Sequence, residues 1–251
     1  MRLKDKAAII TGSGRGIGEG IVMRFAQEGA KIIVNDVNEA DAMAVVEKVR
    51  AGGGQAVAVL GSVSDREVVQ KMVDTAVAQF GTLDIIVNNA GITRDVMLHK
   101  MTDDQWKAVI DVNLTGVYYG IQCAGRVMRE KKYGKIINTG SIHSSVAMSG
   151  LPLSAYCSTK GAVLMMTKAL ANEWAKYNIT VNAIGPAYFP SEMTDAVVSD
   201  PAFMEIVKTY CPMQRTGREG ELDGAVVYFA SDASSYTTGQ LLSIDGGWTA
   251  I

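Results

Sequence analysis

The chain has 251 residues, 48% of them hydrophobic and 20% charged, a balance that suits one large α/β domain or two small ones. A formal net charge of −2, with lysines and arginines scattered along the chain, excludes the basic stripe of a nucleic-acid or anionic-membrane binder. Cys123, Cys157 and Cys211, with His99 and His143, match no zinc-ligand spacing, so no metal site is expected.

Short β-type runs alternate with helical patterns from one end to the other. The spacing predicts a strand over residues 7–11, a helix over about 16–28 and a strand over 31–35. Ala42, Val45, Val46 and Val49 recur at i, i+3, i+4 and i+7 in a helix over about 39–50. A third strand over 55–59 precedes a helix that Ser64-x-x-Glu67 opens as a capping box. Residues 83–87 form the next strand, and Thr102-x-x-Gln105 starts another helix. The helical stretch over 106–130 carries a break. Strands over 135–138, 179–184 and 241–244 complete seven, with a helix over about 155–176 between the fifth and sixth.

Such alternation implies an α/β fold, paired in parallel through right-handed crossovers. No linker or repeat interrupts it, so residues 1–251 read as one domain. Residues 187–215 carry less pattern and contain Pro190, Pro201 and Pro212. They form either a lid over a site or a plain surface excursion. No run approaches a membrane span, and the short apolar run at 7–11 is no signal-peptide core. Thiols without a pairing pattern suit a reducing compartment, so a cytoplasmic location is expected.

The segment TGSGRGIG at 11–18 joins the first strand to the first helix. A pyrophosphate needs backbone N–H groups at a helix N-terminus, and glycines let the backbone approach it. Gly12, Gly16 and Gly18 give G-x-x-x-G-x-G, because Ile17 stands where G-x-G-x-x-G would place its last glycine. Ser13, Gly14 and Arg15 complete the turn. Asp36 closes the second strand, where a carboxylate can bind the adenosine ribose hydroxyls and repel a 2′-phosphate. That favours NAD, while Arg15 could attract the phosphate, so NADP stays open. A tight turn without ligand and a solvated aspartate are the plainer alternatives.

Tyr156 and Lys160 lie four residues apart in a helical segment, hence on one face. A phenol of reference pKa ~10 is a poor base at neutral pH. A cation about 4 Å away at an effective dielectric of about 20 favours phenolate by ~4 kcal/mol, which would make it a workable acid/base. An amphipathic surface pair is the alternative. Ser141 follows the fifth strand, at the strand ends where α/β ligands sit. It either binds a substrate oxygen or shapes a turn. Asn113, within DVNLTG, either joins a water-linked proton path to Lys160 or is a buried hydrogen-bonded amide.

Taken in order, TGSGRGIG, Asp36, NNAG at 88–91, Asn113, Ser141 and Tyr156-x-x-x-Lys160 resemble the short-chain dehydrogenase/reductase family over essentially the whole chain. The resemblance implies a doubly wound Rossmann fold with a seven-stranded parallel sheet ordered 3-2-1-4-5-6-7. It implies an NAD(P)(H)-dependent oxidoreductase that interconverts a secondary alcohol and a ketone. Tyr156 would be the general acid/base, with Lys160 also holding the nicotinamide ribose, Ser141 orienting the carbonyl and Asn113 completing the tetrad. Asn89, Ala90 and Gly91 would lie beside the cofactor, with Asn88 near its adenosine side. Pro186, Phe189 and Ser191 match positions at the carboxamide.

Ser62 replaces the family's aspartate near the adenine, leaving Ser62 and Val63 to hold it by hydroxyl or backbone. Ala187 replaces the usual glycine after Pro186. His143 either binds a polar substrate or is a satisfied loop histidine. A homotetramer joined through the helices of Asn113 and Tyr156 and through C-terminal segments is also implied.

Two subgroups compete for the substrate. NNAGITRD at 88–95 resembles 3-oxoacyl-acyl-carrier-protein reductases. EWAKYNITVN at 173–182, AYFPSEMT at 187–194 and DGGWTA at 245–250 resemble gluconate 5-dehydrogenases and polyol enzymes. Carrier-protein reductases use surface arginines; Arg129 could serve as one, but Tyr177 stands where the second is expected. The expectation is a polyol or keto-sugar-acid substrate, with the carrier-protein reductase and hydroxysteroid or ketone reductases as alternatives. A silent NAD-binding regulator is a different class, against which the complete tetrad speaks.

Overall fold

Apolar runs of four to eight residues, buried on both faces, dictate a parallel sheet sandwiched between helices. The computed structural model, which describes residues 1–148, 150–190, 194 and 198–250, contains that sheet. Its strands are β1 (Ala7–Ile10), β2 (Lys31–Asp36), β3 (Gln55–Leu60), β4 (Ile85–Asn88), β5 (Gly134–Thr139), β6 (Ile179–Pro186) and β7 (Leu241–Ile244). Every pairing is parallel, in the order β3-β2-β1-β4-β5-β6-β7. The winding reverses between β1 and β4, which opens a crevice beyond the carboxyl ends of those strands.

Neighbouring residues on a strand face opposite layers. Ile10, Ile32 and Val34 pack with α1 (Gly16–Gln27), α2 (Glu39–Ala51) and the late helix Asp223–Ala230. Ile9 and Ile33 pack instead with α3 (Arg66–Phe80), α5 (Gly116–Lys131) and α6 (Ser154–Trp174). Among the described residues no helix is long and apolar enough to cross a membrane.

The break expected within residues 106–130 has a form. Helix α4 (Asp103–Ile110) leads into a π-helical turn over Asp111–Thr115 before α5 begins. Residues 198–215 are more regular than their sequence suggests. Asp200 caps a helix, α7 (Pro201–Tyr210), whose Phe203 and Val207 pack with Ile142, Cys211 and Trp248. The helix Asp223–Ala230 is α8.

Two caps distinguish expectation from structure. Thr102 and Gln105 form the reciprocal capping box (3.2 and 3.0 Å). The box expected at Ser64 is displaced by one residue: Asp65 caps α3 by accepting the Glu67 N–H at 2.8 Å. The Ser64 hydroxyl is instead paired with that of Ser62 at 2.7 Å. Thr102→Ala should therefore lower stability by about 1 kcal/mol, or ~2–4 °C in a melt. Ser64→Ala should stay within about 0.5 kcal/mol; thermal denaturation of both variants checks the pair.

Candidate active site

Between β1 and α1 the chain must turn sharply against the NNAG loop. Gly12 and Gly16 take left-handed backbone angles (φ 57° and 58°), which side chains disfavour. A Cβ on Gly12 would stand 2.8 Å from the Ala90 Cα, and one on Gly18 only 2.3 Å from the Gly12 carbonyl oxygen. Thr11 ties the two segments together, its hydroxyl accepting from Asn89 and Ala90 N–H (2.9 and 3.0 Å). The Asn89 amide donates to the Thr11 and Gly12 carbonyls. No side chain caps the start of α1, so its first N–H groups and dipole point towards an anion site.

A crevice of about 490 Å³ runs from this turn across the sheet. Gly12, Arg15, Gly16, Ile17 and Gly18 form one wall, with Asp36, Ser62 and Val63 at the end nearest β2 and β3. Asn89, Ala90 and Gly91 line its middle; Ser141, Tyr156, Lys160, Pro186 and Phe189 line the remainder. Bare glycine backbone at an uncapped helix end, beside an acid at the close of β2, fits a dinucleotide.

Three expected contacts lie elsewhere. Ser13 is fully buried beneath the turn, its hydroxyl donating to the Ile10 carbonyl at 2.8 Å. Gly14 is spent on the Asp36 carboxylate (2.9 Å). Neither forms the crevice wall. Asn88, expected near the adenosine, is buried under α5 and donates to Asn138 at 2.9 Å. Space there is so tight that a Cβ on Gly120 would lie 2.1 Å from the Asn88 Oδ1. Ser191 falls outside the described residues.

Asp36 works twice, lining the crevice while its oxygens accept from the N–H groups of Gly14 and Asn38 (2.9 and 3.1 Å). Arg15 stands at the rim, 3.8 Å from Asp41.

At the other end, Lys160 is buried and donates to the Thr139 carbonyl at 2.6 Å. Its nitrogen lies 5.5 Å from the centre of the Tyr156 ring. Burial pushes the lysine down to about 8. Burial likewise pushes the Tyr156 phenol up to about 12, with the Ser141 hydroxyl opposing in part. Lys160 was expected to favour the phenolate; burial is the largest influence on the phenol here. The ammonium points at a carbonyl and stands over the ring face, so loss of water outweighs attraction among the protein groups.

Ser141 opens a short 3₁₀ turn, its hydroxyl oxygen accepting the His143 N–H at 3.1 Å and its side chain hydrogen-bonding the Tyr156 phenol. Asn113, in the π-helical turn, is a fully buried amide. It accepts from the Ile92 N–H (2.8 Å) and donates to the Ile92 carbonyl (2.9 Å) and Thr159 hydroxyl (3.3 Å). A Cβ on Gly91 would lie 3.5 Å from its Oδ1 and 3.8 Å from the Lys160 nitrogen, so both border one space. His143 is buried behind the wall, its ring edge-on to Tyr156 with centroids 6.2 Å apart.

Two residues were given no site role from the sequence. Arg94 shares the crevice with Ser141 and Tyr156, its guanidinium donating to the Thr93 carbonyl at 2.8 Å. The Tyr188 hydroxyl lies 3.2 Å from the His143 Nε2. A cation three residues beyond NNAG, just past a central strand end, was the signal available for Arg94.

Known proteins share this fold and part of this sequence. The family described as "Enoyl-(Acyl carrier protein) reductase" matches residues 12–249. The 3-oxoacyl-acyl-carrier-protein reductase FabG of Staphylococcus aureus is 40% identical over 243 residues, 96% of this chain and 97% of its own. The crystal structure of a gluconate 5-dehydrogenase from Burkholderia cenocepacia, in complex with NADP and tartrate, superposes with a TM-score of 0.95 at 40% identity. That match covers 100% of this chain and 97% of the other. Levodione reductase superposes with a TM-score of 0.92 at 30% identity, covering 99% of each chain.

A lysine held near 8 against an ordinary value near 10.5 destabilises the fold wherever it is charged. Between those values the unfolded chain binds more protons, so stability rises with pH. Lys160→Met should melt higher than the parent at pH 7, by roughly 5 °C, with the gap closing above pH ~10. Thermal melts at the two pH values decide this, and a variant less stable at pH 7 would contradict it.

Proposed function

The chain belongs to the short-chain dehydrogenase/reductase family and is an oxidoreductase acting on CH–OH groups with NAD(P); on that premise we propose that it interconverts a keto-sugar acid or polyol ketone with its alcohol, Tyr156 serving as general acid/base. The observation that carries this reading is Arg94. It is a cation lining the same crevice as Ser141 and Tyr156, suited to a substrate carboxylate.

Bound NAD(P)(H) supplies or accepts the hydride. The remaining work belongs to side chains. In reduction the Ser141 hydroxyl donates to the carbonyl oxygen, and Tyr156, protonated at neutral pH, gives its proton to that oxygen as negative charge develops. The Lys160 ammonium stabilises the phenolate left behind. Asn113 clamps the backbone of Ile92 and so fixes the loop beside Lys160. His143 backs the polar side of the substrate space.

The 40% relative named for acyl-carrier-protein chemistry makes that the second reading. Arg129, its candidate docking cation, stacks 4.8 Å over the ring of Tyr177 and donates to its hydroxyl at 3.4 Å. A guanidinium engaged in this way is less available to an acidic carrier. Against 5-keto-D-gluconate and acetoacetyl thioester, kcat/KM should favour the keto acid by ~10-fold or more; the reverse order would transfer the assignment. Tyr156→Phe should lower kcat/KM by roughly 10²–10⁴ while nucleotide affinity changes less than about three-fold; retained turnover would dismiss Tyr156 as the proton donor.

NAD is the favoured nucleotide, because Asp36 puts a carboxylate where a 2′-phosphate would lie. The Burkholderia relative was crystallised with NADP. Asp36→Ala should shift the kcat/KM ratio of NADH to NADPH by ~10-fold towards NADPH, and an unchanged ratio would locate discrimination elsewhere.

The chain acts as one domain in this reading, with residues 187–215 as its substrate lid. Exposed Tyr118 and Met165, on α5 and α6, support assembly into a homotetramer through those helices. The free thiols of Cys123, Cys157 and Cys211 support a cytoplasmic setting.

A further inference from the structure

The crevice has a second end, away from Tyr156, that also carries a hydrogen-bonding side chain. With pyrophosphate at the start of α1 and its neighbouring ribose at Asp36, the base on that ribose extends past β2 towards β3. The chain leaving β3 lines the crevice there through Gly61, Ser62 and Val63. It is anchored to β2, the Gly61 N–H donating to the Asp36 carbonyl at 3.0 Å. The Asn35 side-chain amide donates to the carbonyls of Val59 and Gly61, at 3.0 Å each, and is spent on them. Val37 and Val63 offer only apolar side chains, so the Ser62 hydroxyl is the neutral group left to read a base.

Two hydrogen bonds hold the Ser62 oxygen. It accepts the Ser64 N–H at 3.2 Å and lies 2.7 Å from the Ser64 Oγ, where either hydroxyl can be the donor. Asp65, not Ser64, caps α3. Among the described residues the Ser64 hydroxyl therefore bonds to Ser62 alone. A hydroxyl carries one proton and two lone pairs. If Ser62 donates to Ser64, one lone pair of Ser62 is left for the crevice. If Ser64 donates to Ser62, both lone pairs are filled and the Ser62 proton is left instead. The two arrangements differ by hydroxyl rotations alone.

We propose that the Ser62–Ser64 pair makes the base subsite ambivalent, so that the protein binds dinucleotides of a 6-aminopurine and of a 6-oxopurine alike. Facing a 6-amino group, a donor, Ser62 turns its proton to Ser64 and accepts. Facing a 6-oxo group, an acceptor, it takes the Ser64 proton and donates its own. A carboxylate in place of Ser62 could only accept, and would leave the 6-oxo group unpaired. Ser62 touches the base, and Ser64 is a positioning residue acting through the direction of one proton. The inference rests on the dinucleotide reading of the crevice and is independent of which ketone is reduced.

The full-length protein is titrated with NADH and with reduced nicotinamide hypoxanthine dinucleotide, following nicotinamide fluorescence with no ketone present. The 2′-phosphorylated pair is titrated in the same way. Within each pair that binds, the two Kd values should agree to within ~10-fold, and Ser62→Asp should favour the adenine form by a further ~10-fold or more. N1 of the base also gains a proton in the 6-oxo form; parent and variant share that difference, and comparing their ratios removes it. Ser64→Ala should weaken both forms by ~2–5-fold with its melt almost unchanged, and Ser64→Thr should restore them. A parent that prefers the adenine form by more than ~10-fold overturns the inference, as does a Ser62→Asp ratio equal to the parent's. Binding of both forms by a protein that reduces no ketone leaves the inference standing and removes the proposed reaction. A parent that binds neither form of either pair sinks the dinucleotide reading and this inference together.

Discussion

One ammonium in the dry interior governs the catalytic half of the molecule. Lys160 leaves water to meet the carbonyl of Thr139 at the end of β5, and that hydrogen bond sets where α6 can lie against the sheet. Tyr156 follows, one helical turn earlier on the same face. Ser141 follows as well, two residues beyond Thr139. A buried cation without a matching carboxylate is held against its own preference. Strain of this kind persists only where the surrounding packing is strong enough to impose it.

That packing is found in the polar and apolar layers beneath the site. Asn88 donates to Asn138, and Asn138 to Thr167 on α6 (2.9 Å each), in a fully enclosed ladder joining β4, β5 and α6. Buried amides of this sort tolerate one arrangement, because any slip leaves them unpaired. Gly120 lets α5 press directly onto the ladder. The site thus stands on a floor whose register is fixed by hydrogen bonds as well as by Val163, Ile136 and Val181 in the core around it.

Most of the fold was legible because the strands are continuous apolar runs and the helices alternate with them. The tetrad was legible because its spacing crosses several elements in a fixed order. What escaped depended on neighbours that sequence does not display. Ser64 and Asp65 are both good caps, and only the helix entry angle decides between them. Asn88 and Asn89 are adjacent and alike, yet the alternation of a strand sends one into the core and the other to the crevice. The influence of Lys160 on Tyr156 was expected from charge alone, whereas the balance turns on how much water both groups lose. Helix α7 was hidden by flanking prolines, although Asp200 followed by Pro201 is a helix start. Arg94 was read as part of a family signature, and only the crevice reveals it as a wall.

The π-helical turn at Asp111–Thr115 has an evolutionary reading. Such a turn is an α-helix with one residue inserted. Excising a single residue from it would restore a regular rod through α4 and α5, and α5 would keep its bearing, because the wide turn absorbs the extra residue. What would be lost is the widened stretch of backbone that carries the Asn113 amide to Ile92. The irregularity therefore lets one helix gain a site residue without turning the face it offers the sheet.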